Sequence, residues 1–84
     1  MEWLYAKGIP IEAQFLYRKA LDLSHQGNDE GALRYFRQAV IIAPRYATAF
    51  FEMGNCLARL GRIGEAREKY EQATHIDAGF TQPK

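Results

Sequence analysis

His25, His75 and Cys56 are the side chains whose types suit proton transfer, metal ligation or nucleophilic attack. Their spacing does not assemble any of these chemistries. The histidines stand 50 residues apart, and no H-x-x-x-H or C-x-x-C pair offers two ligands from one turn of chain. Gly27 and Gly61 are isolated, whereas a phosphate cradle needs clustered glycines ahead of a helix. Each of these residues also has a structural reading. His25 and His75 fall near the ends of helical segments, where a basic group favours the negative end of the dipole. Cys56 shares an apolar stripe with Met53 and Leu60, which reads as a small core residue. No enzyme, metal or cofactor is expected, because there is no acid–base pair, nucleophile or ligand set.

The elements that must position any other site come from the whole chain. Its 84 residues leave room for one domain. A hydrophobic share of 48% and a charged share of 25% are ordinary globular values and argue against disorder. Eleven basic residues face ten acidic ones, spread evenly along the chain, so no basic face for nucleic acid is implied. With one cysteine no internal disulfide can form, which fits a reducing compartment. The longest apolar runs fall far short of the roughly 20 residues of a membrane helix. Acidic Glu2 stands where a secretory signal carries positive charge. A cytoplasmic protein without membrane contact is expected.

Sliding the chain against itself by 34 residues pairs Pro10 with Pro44, Ala13 with Ala47, Leu23 with Leu57 and Gly27 with Gly61. The same offset pairs Ala32 with Ala66, Gln38 with Gln72, Ala39 with Ala73 and Ile42 with Ile76. Eight identities arise where chance gives about two. Each copy reads as two helices. Helix A runs from about Pro10 to Gln26 in the first copy and from about Ala47 to Leu60 in the second, each closed by a glycine able to take the left-handed conformation. Helix B runs to about Ala43, with Asn28 and Asp29 expected as cap oxygens, and from about Gly64 to Asp77 in the second copy. Ala32, Phe36, Ala39 and Ile42 recur at helical spacing, as do Ala66, Tyr70, Ala73 and Ile76. The short glycine-containing turns require antiparallel helices within each copy.

The period, the small residue in mid helix A, the turn glycine, the Ala-x-x-x-aromatic-x-x-Ala run on helix B and the following proline resemble the tetratricopeptide repeat family. The first copy departs with Ala20 where the family usually has Gly, the second with Ala78 where Pro is usual. The resemblance implies an all-α fold of two antiparallel helix-turn-helix repeats, a fragment of an αα superhelix. One domain spans 1–84: an N-terminal segment 1–12, repeats at 13–46 and 47–80, and a tail 81–84. It also implies protein–protein interaction, through a concave face of the A helices that binds a peptide or helix of a partner. Carried over, that face comprises Gln14, Tyr17, Arg18, Leu21, Ser24 and His25, then Thr48, Phe51, Glu52, Asn55, Ala58 and Arg59. Tyr17, Leu21 and Phe51 make an apolar centre, ringed by Arg18, Asn55 and Arg59. Chaperone-binding relatives grip a terminal carboxylate with Lys and Asn where this chain has Tyr17 and Leu21, and Glu52 would repel one; that specialisation is not expected.

End repeats of a stacked array should be polar on their outer flanks. On helix A the stripe Ala49, Met53, Cys56 and Leu60 has as first-copy counterparts Phe15, Lys19, Asp22 and Gln26. On helix B, Leu33, Tyr35, Val40 and Ile41 become Arg67, Lys69, Thr74 and His75. Both outer flanks turn polar, as expected of a complete two-repeat protein. So small an array needs additional stability. Trp3, Leu4, Tyr5, Ile9 and Ile11 supply large apolar groups ahead of the repeats. Either residues 2–8 form a short capping helix over Phe15, or they dock on a second copy and make a homodimer. An adaptor or scaffold is the leading functional expectation; structural self-association through this segment or the groove is the alternative.

Overall fold

The computed structural model describes residues 8–79. Four helices follow in order, α1 (Ile11–His25), α2 (Asp29–Ile42), α3 (Ala47–Arg59) and α4 (Ile63–Ile76). Strands are absent among the described residues. α1 packs on α2, α3 on α4, and α2 on α3, so two helical hairpins share one middle interface.

Both hairpins turn by the same device. Gly27 (φ 85°) and Gly61 (φ 82°) are left-handed, where a Cβ would crowd the backbone. After α1, the Gly27 N–H donates to Ser24 O at 3.0 Å and the Asn28 N–H to Leu23 O at 2.8 Å. After α3, the Gly61 N–H donates to Ala58 O at 3.0 Å and the Arg62 N–H to Leu57 O at 2.9 Å. This double reversal satisfies carbonyls that the helix end leaves open. No heavy atom lies within 4 Å of where a Cβ on either glycine would stand; backbone conformation, not space, selects glycine.

α2 begins with the Asn28 side chain accepting from the Gly31 N–H at 2.9 Å, the expected cap. Asp29 differs from expectation: its carboxylate is drawn across the molecule to Arg59, an ion pair stronger than a second cap bond.

The core runs the length of the array. Ala13, Ala20, Ala32, Phe36, Ala39, Ala66 and Ala73 are buried, so alanines let the helices approach while Phe36 fills the space between them. Gly54 and Tyr70 form a close junction. A Cβ on Gly54 would stand 2.5 Å from Tyr70 Cε1, so the phenol ring rests directly on the α3 backbone.

Ala49, Met53 and Cys56 are buried, while Phe15, Lys19, Asp22 and Gln26 are exposed. On α2, Leu33 is buried and Tyr35 and Val40 partly so, but Ile41 is 76% exposed. Its assignment to the inter-repeat face is corrected. One residue beyond Val40 is a turn of about 100° around the helix, which carries the side chain off the interface. Ile9 belongs to the core, whereas Ile11 and Phe15 on α1 are 49% and 64% exposed. Trp3, Leu4 and Tyr5 lie outside the described residues.

Candidate partner-binding groove

α1 and α3, the first helix of each hairpin, carry the expected groove residues, and two ties join them, one aromatic and one polar. At one end, the Tyr17 ring meets Tyr46, the residue that precedes α3, with ring centroids 5.0 Å apart. The Tyr17 ring also leans on Phe36, 5.7 Å away and tilted by 57°. At the other end, Arg59 forks onto Asp29, with Nε to Oδ1 at 3.1 Å and Nη2 to Oδ1 at 3.0 Å. Arg59 Nη2 also donates to Ser24 Oγ at 2.7 Å. Seven residues of α1 separate Tyr17 from Ser24, about 10 Å at helical rise.

Leu21, Glu52 and Asn55 fall between these ties by helical register. Asn55 Oδ1 accepts from the Tyr70 hydroxyl at 2.6 Å, and its Nδ2 donates to Glu52 Oε1 at 3.4 Å. Phe51 and Tyr70 stack obliquely at 5.5 Å. Glu52 and Asn55 are half-buried. The stretch is thus an aromatic floor with one carboxylate and one amide set into it.

Several expected groove residues are also engaged within the chain or lie exposed. Arg59 serves as the tie between repeats. Gln14 Nε2 donates to Ile9 O at 2.9 Å, anchoring the start of α1, and Arg18 and His25 are exposed. Three contributors were not singled out for the groove from sequence: Tyr46 on the connection between repeats, Tyr70 from α4, and Asp29. A signal existed for Tyr70. Where the first copy has Ala20, Leu21 and Phe36, the second has Gly54, Asn55 and Tyr70, and the hydroxyl, its amide partner and the room for the ring change together.

The tyrosine phenols and the thiol are all raised, chiefly by burial. Burial raises the Tyr17 phenol, with the Glu52 charge adding to it. Burial foremost, then Tyr17, pushes Tyr46 up to about 12. Cys56, whose Sγ lies 3.6 Å from Arg59 Nη2, is pushed up to about 11, chiefly by burial. A thiol so protonated is a poor nucleophile. A depression of about 640 Å³ opens beside Tyr46 and Thr48, walled by Ile9, Ile42, Pro44 and Ile76. Among the described residues no group of three acidic, His or Cys side chains could hold a metal.

The family profile described as Tetratricopeptide repeat matches residues 17–79, through both hairpins. The chain belongs to the tetratricopeptide repeat family. A curated relative, an uncharacterised protein of Methanocaldococcus jannaschii, is 33% identical over 73 residues, covering 87% of this chain and 85% of that protein. Tetratricopeptide repeats generally mediate protein–protein interaction, and theirs is a non-catalytic repeat fold. No helix of the described residues is long and apolar enough to cross a membrane.

Proposed function

We propose that this tetratricopeptide repeat chain is an adaptor or scaffold module that takes a peptide or helix of a partner protein into the groove between its two ties. The observation that carries this reading is a pair of aromatic clusters, Tyr17 with Phe36 and Tyr46 and Phe51 with Tyr70, accompanied by the half-buried polar Thr48, Glu52 and Asn55. An apolar centre with a polar rim is how peptide sites gain affinity and orientation together. Capture of partners by wild type should be lost with Tyr17→Ala and Phe51→Ala. Equal recovery by both folded variants would place binding elsewhere.

Self-association is a second reading, favoured by the exposure of Ile11 and Phe15 one turn apart on α1. An apolar pair of this kind suits a second copy. Light scattering behind size exclusion distinguishes the two: a chain that stays monomeric at high micromolar concentration has no homodimer.

A further inference from the structure

The charge of the groove points to the chemistry of what enters it. Glu52 is half-buried, and its one hydrogen bond among the described residues is the long 3.4 Å contact from Asn55 Nδ2. A carboxylate has lone pairs for about four donors. The nearest base on the same helix face, Arg59, is already neutralised by Asp29 at 3.0 Å. Arg18 is exposed and acts on Tyr46, and no ion pair joins it to Glu52. Between the ties, Tyr17, Leu21, Glu52 and Asn55 therefore carry one uncompensated negative charge over aromatic surface. Asn55 bonds both Glu52 and the Tyr70 hydroxyl, and Tyr70 stacks on Phe51, so the carboxylate is set beside aromatic surface.

We propose that the groove receives an arginine side chain of the partner, its guanidinium paired with the Glu52 carboxylate and stacked over the adjoining aromatic surface. This rests on the groove reading above and adds the chemistry of the occupant. An acidic segment would meet repulsion from Glu52. A planar cation with a fork of donors fills the open lone pairs while its face covers the aromatic surface, which a lysine ammonium does less well.

The test is an NMR titration of the isotope-labelled full chain with blocked alanine pentapeptides whose central residue is arginine, glutamine or glutamate. The arginine peptide should move the amides of Tyr17, Thr48, Glu52 and Asn55 saturably and bind about fivefold tighter than the glutamine peptide. Glu52→Gln, at a half-exposed site that tolerates an isostere, should keep the folded spectrum and erase that preference. Groove shifts without an arginine preference, or a preference that survives Glu52→Gln, overturn the arginine assignment and leave the groove reading standing. Shifts centred on Arg34 and Arg37 of α2 overturn both. Groove shifts that follow protein concentration alone, with no response to peptide, assign the groove to a second copy and overturn the proposal, as does a complete lack of response.

Discussion

Gly54, Tyr70 and Asn55 show how one atom can constrain three residues. The ring lies where a Gly54 Cβ would go, and the hydroxyl ends on Asn55 at 2.6 Å. Gly54→Ala should therefore cost about 1–3 kcal/mol, because the ring must shift within a packed core. Tyr70→Phe should cost about 1 kcal/mol through the lost hydrogen bond. Their combination should cost less than the sum, since a displaced ring has already weakened that bond; urea melts of the four proteins check this. Asp29 gives a second test. Its carboxyl is held below the ordinary 3.8, first by the Arg59 hydrogen bonds and against a rise from burial. A carboxyl lowered on folding stabilises above its unfolded pKa and loses that contribution as pH falls through the folded value. Wild type should lose melting temperature more steeply than Asp29→Asn between about pH 5 and pH 2, and a parallel fall would remove the tie from the account. This tie was not legible in the sequence. Asp29 stands where a cap residue belongs, and only the fold brings Arg59, 30 residues on, within reach.

Helices and their ends were read from sequence almost to the residue, because glycine, proline and the Asn28 cap mark most boundaries by local backbone chemistry. α1 and α3 stop where Gly27 and Gly61 turn left-handed. Since neither glycine meets a neighbour where a Cβ would stand, Gly27→Ala and Gly61→Ala should each cost about 1–2 kcal/mol from backbone strain alone, read as lowered melting points with an unchanged circular dichroism shape. A loss of helical signal in the native state would mean that the turn also determines the packing. Faces were harder to read than ends. Leu33 and Val40 lie two turns apart on one side of α2, whereas Ile41 is rotated out to 76% exposure; an apolar residue beside an interface position looks the same in sequence as one within it. The tyrosines of the groove come from three different segments, α1, the connection at Tyr46 and α4, a convergence that no local spacing encodes.

At the scale of the molecule, the two hairpins are joined by the α2–α3 contact and by the two ties between α1 and the second repeat. The ties hold the faces of α1 and α3 in fixed register, so under the proposed reading a partner would meet a groove already formed, at little ordering cost. Its identity as the binding face is the central claim. The most direct measurement places a photo-crosslinking amino acid at Thr48 in the groove, and in a separate protein at Arg34 on the exposed side of α2. Each is irradiated with the partner captured by wild type. Covalent adducts from the Thr48 position, absent from the Arg34 position and suppressed by Tyr17→Ala, are the predicted result. Adducts that form from Arg34 while Thr48 yields none would contradict it.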